Sequence, residues 1–295
     1  VKFHIFARNG AERIRNFPYS TEPNHSRKFG EAIVFCQQKN LVMKKTALIT
    51  GASSGIGAAT ARVLAEMGYN LVITGRRTNR LKSLNDELEE KYHVKVHVLG
   101  FDIQDRFQTQ SALDGLPETF RRIDLLINNA GLAAGLEHID EGDWRDWEAM
   151  IDTNIKGLLC VTRIVSQWMI DQHIKGHIIN MGSIAGRQTY ENGAVYCATK
   201  HAVHALSEGM RMDLLKHEIK VTEIRPGMVE TEFSIVRFHG DKSRADQVYE
   251  GIEPLTGKDI ARVIAWIVSL PEHMNINDIE VMPARQANAF LTYRG

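Results

Sequence analysis

The run Ala47-Leu48-Ile49 leads through Thr50 into Gly51-Ala52-Ser53-Ser54-Gly55-Ile56-Gly57, and residues 58–67 continue with helical patterning. A short apolar strand that feeds a glycine-rich turn and then a helix constrains the chain strongly. Parallel strands need a crossover of a dozen or more residues, usually a helix, and a sheet built that way is covered on both faces. The alternation recurs along the chain. Segments 70–74, 95–100, 125–128, 177–181, 220–225 and 278–282 read as strands, whereas 78–91, 144–171, 194–216 and 257–269 read as helices. The pattern predicts an α/β protein with a doubly wound parallel sheet and helices on both faces. No composition break divides residues 43–295, so they are read as a single domain. Residues 229–251 interrupt the alternation and are expected to cover a substrate; Pro226-Gly227 just before them halts a strand and permits a sharp redirection.

Composition narrows the classes of function. The 36 basic and 36 acidic side chains cancel, which gives no electrostatic reason to expect a nucleic acid or an anionic membrane as partner. The apolar residues 158–162 run straight into Arg163, so no uninterrupted membrane span is read. Cys36, Cys160 and Cys197 are too few and too scattered for a disulfide framework and read as reduced thiols. A cytoplasmic location is expected. His173 and His177 flank Gly176 near a strand onset with no third partner, so no metal is expected. Residues 1–42 mix Arg8, Arg13, Arg15, Arg27 and Lys28 with Glu12, Glu22 and Glu31, and fit neither a secretory signal nor a simple transit peptide. Met43-Lys44-Lys45 then enters the first strand. Residues 1–42 are expected to be an extension, disordered or non-native, with a small packed appendage as the alternative.

In the glycine-rich turn Gly51 permits the tight bend, and Gly55 and Gly57 permit the backbone to approach a pyrophosphate closely. Ser53, Ser54 and Ile56 complete the turn, whose exposed amides at a helix start supply local positive potential. The spacing Gly-x-x-x-Gly-x-Gly departs from the commonest dinucleotide fingerprint, and glycines kept for packing are the competing reading. The second strand ends at Thr74-Gly75-Arg76-Arg77, where an NAD site commonly offers an acid to the ribose hydroxyl. Arg76 or Arg77 suits a ribose 2′-phosphate instead, so NADP is the expected cofactor. Solvated arginines facing neighbouring acids are the alternative, above all for Arg77. Asp102, just after the third strand, can accept from the adenine amine or cap a helix.

Ser183 follows the strand 177–181, and Tyr196 and Lys200 lie four apart in a predicted helix, so their side chains share a face. An unperturbed tyrosine titrates near about 10, too high for efficient proton abstraction at neutrality, and a neighbouring ammonium favours the phenolate. Tyr196 is therefore the expected general base for alcohol oxidation and, in reverse, the acid. Lys200 is expected to lower the phenol's pKa and to hold the nicotinamide ribose, and Ser183 to orient the reacting hydroxyl or carbonyl. Tyr-x-x-x-Lys alone is common on exposed helices; the upstream serine and the glycine turn make it specific.

Together these residues resemble the short-chain dehydrogenase/reductase family over essentially residues 43–295. Residues 50–57 match its cofactor turn, and Asn128-Asn129-Ala130-Gly131 matches a motif that supports the central sheet and lines the cofactor pocket. Ser183, Tyr196 and Lys200 match its active-site trio, and Pro226-Gly227 the motif after the sixth strand. Asn154 falls at the position of a water-mediated proton relay to Lys200. The resemblance implies a Rossmann-type fold, a nicotinamide-dependent oxidoreductase and a homotetramer. A narrower resemblance points to the NADP-dependent 3-hydroxy acid and serine (allo-threonine) dehydrogenases. It is carried by Thr74-Gly75-Arg76-Arg77, Asn129-Ala130-Gly131-Leu132-Ala133, Thr231-Glu232-Phe233-Ser234-Ile235-Val236-Arg237-Phe238, Leu270-Pro271, Asn275-Ile276-Asn277 and Met282-Pro283. It implies reversible oxidation of small 3-hydroxy acids such as serine, allo-threonine, 3-hydroxyisobutyrate or 3-hydroxypropionate. A carboxylate substrate needs a cation to compensate its desolvation. Arg237 in the expected cover and Arg187, four positions after Ser183, are the two candidates. The rival readings are an NADPH-dependent reductase of a larger neutral carbonyl compound and a non-catalytic nucleotide-binding protein.

Overall fold

Alternate residues of the central strands face opposite sides, and both sides are buried. Six strands, β1 (Thr46–Ile49), β2 (Asn70–Gly75), β3 (Val96–Gly100), β4 (Leu125–Asn128), β5 (His177–Met181) and β6 (Lys220–Pro226), are followed by two two-residue strands, β7 (Val229–Glu230) and β8 (Leu255–Thr256), and by β9 (Asp278–Val281). In this computed structural model, which describes residues 44–295, seven of them form one parallel sheet in the order β3-β2-β1-β4-β5-β6-β9, and β7 pairs with β8 apart from it. The extension expected at residues 1–42 lies outside the described residues.

The helices are α1 (Gly55–Glu66), α2 (Thr78–Tyr92), α3 (Arg106–Asp114), α4 (Trp144–Ile151), α5 (Leu158–Asp171), α6 (Ala194–Asp213), α7 (Phe233–Arg237), α8 (Lys242–Gln247) and α9 (Gly257–Ser269). On one face of the sheet, Leu64 of α1, Leu84 and Leu88 of α2, and Ile260 and Ile264 of α9 pack with Ala47, Ile49 and Ile73. On the other, Leu113 of α3 and Val161, Val165 and Met169 of α5 pack with Leu48, Val72, Leu126 and Ile178. The period-two alternation of Ala47, Leu48 and Ile49 thus divides one strand between two cores. The doubly wound sheet is the one the alternation predicts.

Strand order reverses between β1 and β4, which places a crevice at the carboxyl ends of these two strands. Thr50 closes its base: its amide donates to the Ile127 carbonyl (3.0 Å), and its hydroxyl accepts from the Asn129 and Ala130 amides (3.0 Å each).

Three elements differ from the sequence reading. The first helix begins at Gly55, inside the glycine turn, rather than at residue 58. Residues 144–171 are not one helix: a π-helical stretch, Asp152–Gly157, separates α4 from α5. There the side chain of Asn154 exchanges hydrogen bonds with the backbone of Leu132, anchoring the widened turn at the crevice. Residues 229–251, without regular pattern in the sequence, contain β7, α7 and α8.

Candidate active site

The crevice opens into a cavity of about 660 Å³ lined at one end by the glycine turn and the arginines after β2, and at the other by Ser183, Tyr196 and Lys200. Gly51 has φ +68° and Gly55 φ +53°, a left-handed backbone that favours glycine. Gly51, Ser53, Ser54, Gly55 and Ile56 line the cavity, but Gly57 does not. A Cβ on Gly57 would lie 2.4 Å from the Gly51 carbonyl oxygen and 2.5 Å from Asn129 Nδ2, so this glycine allows the turn to pack rather than a ligand to approach. Asn129 Nδ2 donates to the carbonyls of Thr50 (2.9 Å) and Gly51 (3.1 Å), so the Asn129-Ala130-Gly131 segment fixes the turn from the β4 side. The first turn of α1 carries no side-chain cap: the Ser54 hydroxyl is turned instead to Arg77. A helix start whose amides face a cavity without a capping side chain suits an anion.

Both arginines line the same end. Arg77 donates from Nε (3.1 Å) and Nη2 (3.0 Å) to Ser53 Oγ, from Nη2 to Ser54 Oγ (2.6 Å) and from Nη1 to Glu232 Oε2 (2.6 Å). It does face an acid, although one that comes from residues 229–251 rather than from a neighbouring loop. Arg76 is looser, 61% exposed and 3.6 Å from Asp102. Asp102 lines the cavity and accepts from the Gln104 amide (3.1 Å), while capping of α3 falls to Asp105. Two guanidinium groups, two serine hydroxyls and an uncapped helix start form a donor set that fits a pyrophosphate and a 2′-phosphate.

At the opposite end Tyr196 and Lys200 project from α6 and are both buried. Lys200 Nζ donates to the Met181 carbonyl (2.8 Å) and lies 5.9 Å from the centre of the Tyr196 ring. Ser183 Oγ accepts from the Ala185 amide (3.1 Å) and starts the short turn Ile184–Gly186. Asn154 Nδ2 donates to Thr199 Oγ1 (3.0 Å), and a Cβ on Gly131 would meet Asn154 Oδ1 at 3.2 Å and Lys200 Nζ at 3.6 Å. Asn154 and Lys200 therefore close on the same glycine from two elements. Burial pushes the Tyr196 phenol well above its ordinary value, with Tyr190 adding to the rise; the Ser183 hydroxyl and the charge of Arg237 act against it. Desolvation pulls the Lys200 ammonium down to about 8, opposed by Glu223. Removing a phenolate from water is the largest effect on this phenol, and the cation that acts against it is Arg237 rather than the expected Lys200.

The two candidate carboxylate receptors separate. Arg237 lines the cavity at the end of α7, with its Cζ 5.7 Å from the Tyr196 ring centre. Its Nε donates to the Gly135 carbonyl (3.2 Å) and its Nη1 to the Tyr190 hydroxyl (3.1 Å), while Nη2 is buried and has no partner among the described residues. Arg187 is absent from the lining; the turn Ile184–Gly186 carries it out to Asp278 (3.6 Å), half exposed. Pro226 and Gly227 line the cavity where β6 ends, and the Gly227 amide donates to the Val281 carbonyl (2.8 Å).

The sequence reading missed Tyr190, Thr231, Glu232, Phe233 and Gln286, all in the lining. Phe233 meets the Tyr196 ring edge-on with centres 5.7 Å apart, and Gln286 Oε1 accepts from the Met228 amide (2.8 Å). Thr231, Glu232 and Phe233 lay within a segment already singled out as a cover, which was the available signal. Tyr190 and Gln286 carried none.

The short chain dehydrogenase family profile matches residues 45–241. Serine 3-dehydrogenase of Rhizobium radiobacter is 45% identical over 253 residues, which cover 85% of this chain and 99% of that one. Sulfoacetaldehyde reductase 2 of Chromohalobacter salexigens is 44% identical over 245 residues, covering 83% and 96%. Among solved structures, the closed form of a serine dehydrogenase complexed with NADP+ matches with a TM-score of 0.79 and 41% identity over 85% of this chain and 99% of that one.

Proposed function

Since the chain belongs to the short-chain dehydrogenase/reductase family, we propose that it is an NADP-dependent oxidoreductase that reversibly oxidises the hydroxyl of small 3-hydroxy acids such as serine, allo-threonine or 3-hydroxyisobutyrate. The observation that carries the substrate class is the buried Nη2 of Arg237 beside Tyr196, which has no partner among the described residues. A substrate carboxylate on that guanidinium brings a hydroxyl on the next carbon but one towards the phenol.

Arg76, Arg77, Ser53, Ser54 and the start of α1 hold the phosphates of the dinucleotide, and Asp102 its adenine. Asn129-Ala130-Gly131 and Pro226-Gly227 line the remainder of its path. When bound, NADP supplies the two-electron chemistry by accepting or giving a hydride. The residues of the chain manage the proton and the geometry. Ser183 Oγ holds the substrate oxygen; Tyr196 Oη takes its proton in oxidation and returns it in reduction. Lys200 donates to the ribose, and Asn154 braces the segment along which a proton passes between Lys200 and solvent. The raised phenol pKa keeps Tyr196 protonated at neutrality, which suits the acid role in the reductive direction.

A panel of small hydroxy acids with NADP and NAD, followed at the nicotinamide absorbance with product identification, tests the assignment. Methylating the carboxylate is expected to lower kcat/KM by about 10²-fold, because the ester leaves a buried guanidinium unpaired. Faster turnover of esters or of bulky neutral ketones would reverse the assignment in favour of a larger carbonyl substrate. Sulfoacetaldehyde belongs in the panel, since a sulfonate offers acceptors to the same guanidinium.

No helix among the described residues is long and apolar enough to cross a membrane. We place the enzyme in the cytoplasm, supported by the free thiols of Cys160 and Cys197. A homotetramer is expected, with Trp144, Ile151 and Leu159 of α4 and α5 supplying exposed apolar surface for subunit contacts. Sedimentation equilibrium near four times the chain mass supports this, and a monomer mass rejects it.

A further inference from the structure

We propose that Glu232 sets the coenzyme site's affinity for a 2′-phosphate, by holding on Arg77 a donor that this phosphate would otherwise take. The proposal rests on the NADP reading above.

Glu232 stands next to α7 and about 150 residues from the arginines it meets, so the contact is made by the tertiary fold alone. Each of its oxygens takes one guanidinium: Oε2 accepts from Arg77 Nη1 and Oε1 from Arg80 Nη1, both at 2.6 Å. The carboxylate therefore bridges two cations, and its pair with Arg77 holds it below the usual carboxylate range. Glu232 lines the cavity with Ser53, Ser54, Arg76 and Arg77. Four of the five N–H groups of Arg77 are committed: Nε and Nη2 to the two serine hydroxyls, and one N–H of Nη1 to Glu232. An arriving phosphate finds one N–H of Nη1, and for a second donor it must share Arg77 with the serines or displace the carboxylate.

Charge points the same way. Arg76, Arg77 and Arg80 carry three positive charges at this end, and Asp102 and Glu232 carry two negative ones. A phosphomonoester of about −1.5 to −2 meets a nearly compensated site. Neutralising Glu232 leaves a second uncompensated guanidinium. The three side chains of the bridge are 38–46% exposed, so solvent screens the effect and keeps it modest.

Calorimetric titration of the wild-type protein and of Glu232→Gln with adenosine 2′,5′-bisphosphate and with adenosine 5′-monophosphate tests this. The variant is expected to bind the bisphosphate about three- to tenfold more tightly and the monophosphate within about twofold of wild type. The gain should shrink in about 0.5 M salt, where exposed charges are screened. Glu232→Ala is expected to act in the same direction, and NADPH binding, followed by its fluorescence, to track the bisphosphate. Unchanged or weaker bisphosphate binding in both variants, against a wild type that prefers the bisphosphate, overturns the role of Glu232 alone; weaker binding would make it an aligner of the arginines. A wild type that binds both ligands equally overturns the NADP reading and this proposal with it.

Discussion

Tyr196→Phe is expected to lower kcat by about 10³-fold in both directions while leaving dinucleotide binding within about a factor of two. The substitution removes one oxygen and keeps the ring that meets Phe233 edge-on at 5.7 Å, so the packing of the pocket survives. What is lost is the group that the proposed mechanism uses to carry the substrate's proton. Serine and lysine do not replace it: Ser183 Oγ is tied to the Ala185 amide, and Lys200 Nζ is turned to the Met181 carbonyl. The pH profile gives a second, independent reading. With the phenol raised above its ordinary value, the protonated acid dominates across neutrality, so reduction should be flat there and fall only at high pH. Oxidation needs the phenolate and should climb by about tenfold per pH unit below that pKa. The climb should bend where Lys200, held down to about 8, loses its charge. A Tyr196→Phe enzyme within about tenfold of wild type, or an oxidation rate that falls as pH rises from 6 to 8, would remove the phenol from the mechanism.

The regular part of this architecture was legible because it repeats a simple rule. Each central strand is a short apolar run buried on both faces, and each crossover is long enough to be a helix; Ala47, Leu48 and Ile49 already announce two covering layers. The π-helical stretch, Asp152–Gly157, escaped because the helical spacing of apolar residues resumes on both sides of it. Within it the Asn154 side chain is bonded to Leu132 of another segment, and local periodicity does not report such a contact. The same holds for Gly57, whose packing role depends on Asn129, 72 positions away. Motif reading placed Ser183, Tyr196 and Lys200 in one cavity, but it could not anticipate that desolvation would dominate at the phenol, opposed by Arg237 rather than by Lys200. Nor could it rank the arginines. Arg187 follows Ser183 closely in sequence, yet one turn of 3-10 helix directs it to Asp278. Arg237 is distant in sequence and is brought in by α7.

That separation makes Arg237→Met the sharper test of substrate class. The methionine keeps much of the apolar stem and removes the guanidinium that reaches the Gly135 carbonyl and the Tyr190 hydroxyl. Truncating one partner of a desolvated charge pair typically costs about 2–5 kcal/mol, so kcat/KM for a 3-hydroxy acid is expected to fall by about 10²- to 10³-fold. Most of the loss should be in KM, since the carboxylate is bound equally in ground and transition states. A smaller part should appear in kcat for oxidation: removing a positive charge that now lowers the phenol's pKa moves the phenolate further from neutrality. The oxidation profile should therefore shift to higher pH, for the methyl ester as well as for the acid. Arg237→Lys keeps the charge without the paired donors and should recover the pH profile more fully than the KM. The ester separates the two roles. Its KM has no carboxylate to lose, so Arg237→Met should leave it almost unchanged and narrow the preference for the acid towards unity. Arg187→Met, made beside it, should leave the acid's KM unaltered. If instead Arg187→Met raises that KM and Arg237→Met does not, the carboxylate is held on the other side of Ser183 and the placement of the substrate must be reversed.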